Sequence, residues 1–101
     1  MMPLIIHEAA EEELWREVAH YEREAAGLGL DFLSEAERAF QRIQAAPARW
    51  QRANHGTRRV LVRRFPHTIY YRELLEAVWI VAVAPQRRRP FYWRSRINDQ
   101  P

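Results

Sequence analysis

The chain has no cysteine, so it can build neither a disulfide framework nor a thiolate metal site. That composition suits a reducing compartment. It has no lysine either: all 16 basic residues are arginine. Every positive charge is therefore a planar, permanently protonated fork suited to paired phosphate or carboxylate oxygens. Genome composition produces such a bias as readily as selection for anion recognition does. Glycine is scarce, and Gly27, Gly29 and Gly56 mark two turns. The longest apolar run, Ala77 to Ala84, is eight residues, whereas a membrane span needs roughly 20. The opening Met1-Met2-Pro3-Leu4 lacks a basic segment followed by an apolar one. These absences lead to the expectation of a cytoplasmic protein with no membrane partner. At 101 residues and 48% apolar, the chain is expected to form one domain, 1–101, around a small core.

What is present is divided unevenly. Residues 1–46 carry ten acidic side chains against four Arg, and residues 47–101 carry three against twelve. The net charge of +3 conceals an acidic half and a basic half in which Trp and Tyr stand among the arginines. A surface of the second kind attracts phosphates or an acidic protein segment.

Hydrophobic periodicity supplies the elements. Leu4-Ile5-Ile6 reads as a short strand. Leu14, Val18, Tyr21 and Ala25 recur at helical spacing, with Glu11, Glu12, Glu13, Glu17 and Glu24 assigned mostly to the opposite face. Gly27-Leu28-Gly29 breaks that helix. A second starts near Asp31, lines up Phe32, Ala36, Phe40 and Ile43, and stops at Pro47. Residues 48–57 are polar and read as a loop, with Trp50 pinning it and His55 in a turn beside Gly56. Arg58 to Phe65 alternates, placing Val60 and Val62 on one face and Arg59, Leu61, Arg63 and Phe65 on the other. Thr68 to Arg72 forms the next strand, in which Tyr70 and Tyr71 face opposite ways and Tyr71 joins the core. Val78 to Val83 is apolar at both parities, as in a strand covered on both faces, and Trp79 belongs to the core. The order is β-α-α-β-β-β, an α+β fold with a helical hairpin on one face of a small, mostly antiparallel sheet. Its other face is expected to stay partly open as a binding surface.

The segment Arg64-Phe65-Pro66-His67-Thr68-Ile69-Tyr70-Tyr71-Arg72 resembles the stretch "RRFPYxIYYR" of RelE/ParE toxins. Val81-Ala82-Val83-Ala84-Pro85-Gln86-Arg87-Arg88-Arg89-Pro90 resembles their closing strand, in which Pro85 replaces a usual His and Arg89 a frequent Asp. With the two-helix opening, the resemblance spans nearly the whole chain. It implies the toxin component of a type II toxin–antitoxin system, neutralised by a cognate antitoxin that is acidic and folds on binding. Assembly as a homodimer or a toxin–antitoxin heterotetramer is open.

The resemblance leaves the target open between DNA gyrase, poisoned by ParE-like members, and messenger RNA on the ribosome, cut by RelE-like ones. Arg87, Arg88, Tyr92, Arg59 and Arg63 are the expected contacts for target or antitoxin. A RelE-like nuclease would use Arg87, Tyr92 and His67, the last as base because its ordinary pKa is near neutral. Its strand cations are missing, because Thr68 and Leu61 occupy their places. That gap favours the ParE-like reading. A non-toxic nucleic-acid-binding module that stacks bases on Tyr70, Tyr92 and Trp93 is the third reading. No cofactor is expected, and His20 with Glu24 offers only two ligands to a metal.

Overall fold

A computed structural model describes all 101 residues. Strand β1 (Leu4–Ile6) leads into α1 (Glu8–Glu24) and α2 (Leu28–Ala45), followed by β2 (Gln51–Arg52), β3 (Arg58–Leu61), β4 (His67–Glu73) and β5 (Val78–Pro85). A 3-10 helix, Arg94–Asp99, closes the chain. The sheet order is β1-β5-β4-β3-β2. Only β1 and β5 pair in parallel, as a crossover through two helices allows. The α+β class and the helical hairpin on one face are as expected. No helix is long and apolar enough to cross a membrane.

The helix junction is tighter than the glycines suggested. Helix α2 begins at Leu28, about a turn before Asp31, and Gly29 lies inside it. Gly27 holds φ +86°, which glycine adopts without cost. The Glu22 carboxylate at the end of α1 accepts from the Gly27 amide at 3.0 Å and the Gly29 amide at 3.1 Å, capping α2 from outside. At Gly29 a Cβ would stand 2.5 Å from the Val18 carbonyl oxygen, so the helices meet this closely only because that residue has no side chain. At the other end of α2, the Trp50 indole donates to the Arg42 carbonyl at 3.2 Å, pinning the loop as expected.

Beneath the hairpin lies the main core, which includes Leu14, Phe32, Ile43, Val60, Ile69, Tyr71, Ile80 and Val83. Tyr71 is fully buried, and its hydroxyl donates to the Pro47 carbonyl. Burial, as the main cause, pushes its pKa up to about 12.

Three local expectations change. Residues 48–57 are not all loop: Gln51–Arg52 adds a two-residue edge strand paired with Arg59 and Arg58. The alternation of β3 ends at Leu61, and Arg64 takes φ 71° in the turn. Phe65 is thereby turned to the helix face, 4.9 Å from the Tyr21 ring and 5.2 Å from Phe32. The same turn leaves Arg63 beyond the strand. Third, the sheet's second face is partly open as expected, but the part that is closed is closed by the chain's own tail. Trp79, Val81, Ala82 and Ala84 of β5 lie under Trp93, with Phe91, Tyr92 and Ile97 packed around them. The register between β4 and β5 slips at Tyr70/Tyr71, where Val81 is the extra residue. That bulge is why Val81 and Ala82, adjacent in sequence, both join the tail-covered cluster.

Candidate functional site

The tail covers half of the second face and leaves a cleft of about 420 Å³ beside it. Cross-strand pairs make its floor: Arg59 opposite Tyr70 and Leu61 opposite Thr68. Trp93 and Phe91 form one wall, and Arg88 and Arg89 stand at the rim. Tyr70 and Trp93 pack with ring centroids 4.6 Å apart, and Phe91 meets Trp93 edge-on at 5.6 Å. The Arg88 guanidinium lies 3.9 Å from the centre of the Tyr92 ring, a cation–π contact that fixes its approach to the cleft. On the floor, Arg59 Nε donates to Gln51 Oε1 at 3.3 Å. The β2 strand absent from the sequence reading is thus what orients the only floor arginine.

Of the residues expected at the site, Arg59, Arg88 and Tyr92 come together in this cleft. Arg87, one residue before Arg88, turns to the opposite side and places Nη2 3.4 Å from Glu17 of α1. Arg63 lies in the β3–β4 turn and does not line the cleft. His67 is placed on the wrong face for a base acting in the cleft. In β4 it shares parity with Ile69 and Tyr71, is fully buried, and packs 4.8 Å from Phe32 and 6.0 Å from Tyr21. Burial lowers its pKa, only partly opposed by Glu17. Sequence reasoning had considered His67 for its titration range and not for the face it occupies.

Two glutamates that their charge had assigned to the solvent face are buried between helix, strand and tail. Glu13 Oε1 accepts from the Val83 amide at 3.0 Å and from Arg96 Nη1 at 2.9 Å. Glu13 Oε2 accepts from Arg96 Nη2 at 3.0 Å and from the Tyr92 hydroxyl. Strand β1 covers β5 only as far as Ile80, so the outer edge of β5 beyond it has no strand partner. Glu13 takes its amide at Val83, and Arg96 takes its carbonyl at Val81 at 3.1 Å. One bidentate ion pair therefore finishes the sheet edge and ties down the tail. The Tyr92 hydroxyl is committed to this network, and burial followed by the bond to Glu13 raises its pKa. A second tie joins the tail to the start of α1. The His7 ring caps that helix, with Nδ1 accepting from the Ala9 amide at 2.9 Å, while Nε2 donates to Asp99 at 2.8 Å.

The sequence did contain a signal for the two glutamates. Ala10, Glu13, Leu14, Glu17, Val18 and Tyr21 form one stripe at spacings of three and four, so Glu13 and Glu17 interrupt the apolar face. An acid on such a face needs a partner, and the unmatched arginines of the C-terminal half supply it. His20 and Glu24 sit 3.2 Å apart as an ordinary helical pair, with no third ligand grouped near them.

The arrangement as a whole, from the two-helix crossover to the tail over β5, can be set against solved structures. One described as "Chromosomal ParDE TA system from P. aeruginosa" superposes with a TM-score of 0.71 at 19% identity, covering 84% of this chain and 96% of that chain. The fold is ParE-like. No family model matches the chain, and no curated relative does. At 19% identity the likeness does not carry a role for any one side chain.

Proposed function

We propose that this chain is the toxin of a type II toxin–antitoxin pair, that it arrests bacterial growth by acting on DNA gyrase in the ParE manner, and that an acidic antitoxin neutralises it. The ParE-like fold supports the first part. The observation that carries the second is the chemistry of the cleft. Its cations are Arg59, Arg88 and Arg89, which hold anions but do not take up protons. Thr68 and Leu61, facing each other at the centre, add no charge. The Tyr92 hydroxyl is engaged as a donor to Glu13, and His67 is sealed under the other face. Binding is well provided for, whereas proton transfer is not, and a gyrase poison needs only the former. The antitoxin follows from charge: a flexible acidic segment would fold along the basic cleft and its rim.

One feature favours a second reading. Trp93, expected among the stacking residues, is buried over β5 and offers no face to a base, but the half-buried Tyr70 and Phe91 beside three arginines leave two aromatic surfaces next to a phosphate-seeking rim. That arrangement serves a RelE-like messenger endonuclease or a plain nucleic-acid-binding module.

Induction of the chain in a bacterium without its antitoxin, with DNA and protein synthesis pulse-labelled over the first minutes, separates these readings. The ParE-like reading predicts early loss of thymidine incorporation while methionine incorporation continues. The reverse order means a ribosome-linked nuclease. Undisturbed synthesis, with salt-sensitive binding to single-stranded nucleic acid in vitro, means the binding module.

A further inference from the structure

Glu17 lies one turn along α1 from Glu13 and is equally buried, but its partners are poor. Its Oε1 has only Arg87 Nη2 at 3.4 Å, and its Oε2 has no hydrogen-bond donor. The nearest group to Oε2 is His67 Nε2, also at 3.4 Å, and neither nitrogen of that ring has a hydrogen-bond partner. A carboxylate and an imidazole, both out of water and both short of partners, normally destabilise a fold. On its side away from His67, Glu17 lines a small pocket of about 140 Å³ with Glu13, Arg16, Pro85, Arg87 and Arg88. Arg87 is two-thirds exposed and is the only one of the three groups that can move without opening the core.

We propose that Glu17 and His67 are positioning residues that hold Arg87 by a proton-operated latch. With His67 neutral, Arg87 is the only cation within ion-pair distance of the buried carboxylate, and it is drawn against α1, away from the cleft. When His67 is protonated, the carboxylate gains a buried cation in place of Arg87, and Arg87 swings free to meet an acidic group on a partner. The linkage is reciprocal: an acidic partner that draws Arg87 away leaves Glu17 to His67, which then takes up a proton. As a contact for a partner, Arg87 rests on the functional reading above; the coupling between the three groups does not.

The electrostatics around His67 agree with this geometry. Burial is the main influence and lowers its pKa; Glu17 raises it, Arg87 lowers it, and Glu13 raises it. From α1, Tyr21 also faces the ring, and Arg16 stands at the pocket rim with Arg88 from the strand end. From α2 comes the uncharged Phe32, while Asp31 and Glu35 of that helix are turned to Arg64 at 3.7 and 3.9 Å.

The test is a proton NMR titration of the full chain that follows the His67 ring and the Arg87 Nε–H signal together. In the unaltered chain, the Arg87 signal is expected to move with the same midpoint as His67. Arg87→Gln, an exposed change that leaves the core intact, is expected to raise that midpoint, and Glu17→Gln to lower it. A static arrangement would also raise the midpoint on loss of the Arg87 charge, so the shared titration of the Arg87 Nε–H signal in the unaltered chain is what distinguishes a latch. An Arg87 signal that ignores the His67 titration, or a midpoint unmoved or lowered in Arg87→Gln, overturns the latch. Because the unaltered chain alone gives the first readout, the result does not depend on any variant folding. It also does not depend on whether the protein arrests growth.

Discussion

The two faces of the sheet are buried by different means. Under the helices, fourteen buried side chains interlock across α1, α2 and three strands. On the tail side there are four from β5 and Trp93 of the tail over them, and the cover is a single segment fastened at a few points: Glu13–Arg96, Tyr92–Glu13 and His7–Asp99. The first face is a core in the ordinary sense. The second is half built, and the unfinished half is the cleft. Stability is concentrated on one side of the sheet, which frees the other to carry an arginine-rich surface that contributes little to folding.

If so, losses on the helix face should be global and losses on the tail face local. The largest effect is expected for Phe32→Ala, which empties a fully buried ring site at the centre of the aromatic group. We expect a loss of about 3–5 kcal/mol in denaturant unfolding, a large share of what a domain of this size has. Equal loss of amide protection in α1, β4 and the tail would accompany it. Glu13→Gln comes next, at about 1.5–3 kcal/mol for the weakened charged hydrogen bonds. Hydrogen exchange should then rise first at residues 91–97, with α2 unchanged. A uniform rise would remove the distinction between the faces. Gly29→Ala sharpens the comparison from the other side. The Cβ would collide with the Val18 carbonyl, so about 1–3 kcal/mol should be lost by thermal denaturation, with the tail following the helices.

A pH effect of smaller size follows from His67. Its folded pKa lies below its unfolded value, so the unfolded chain binds the proton more readily. Its contribution to stability is therefore intact above about pH 6.5 and is lost as the pH falls below that, by at most about 1.4 kcal/mol per unit. His67→Phe, compared with the unaltered chain by denaturation at pH 7.5 and pH 5.5, should show less acid sensitivity. The smallest change is expected for Arg88→Ala, about 0.5–1 kcal/mol for its contact with the Tyr92 ring, with the cleft altered and the helix face unaffected.

The helix face was legible in the sequence because its signal is apolar periodicity. Phe32, Ala36, Phe40 and Ile43, the burial of Tyr71 against the outward Tyr70, and β5 covered on both sides all read directly from spacing. The tail face was legible only in its chemistry. Arg59, Arg88 and Tyr92 were picked out, yet their meeting depends on Trp93 folding back over β5, and an aromatic among arginines looks the same whether it covers a sheet or faces solvent. The two-residue β2 has no apolar position, so it left no trace. Phe65 and Arg63 were misplaced because alternation was carried through Arg64, where the backbone turns left-handed. His67 was weighed by its titration range when its parity with Ile69 already placed it under the helices. Glu13 and Glu17 were counted as exterior because charge was taken to outrank spacing, and in this fold spacing prevailed.

The central claim is that the cleft of the tail-covered face is the surface through which this protein acts. The most direct measurement is growth after induction, without antitoxin, of the unaltered chain and of a double charge reversal, Arg59→Glu with Arg88→Glu, each shown to be folded by amide NMR. We predict that the unaltered chain arrests growth and the folded variant does not. Undiminished arrest by the folded variant would contradict the account and place the working surface elsewhere on the molecule.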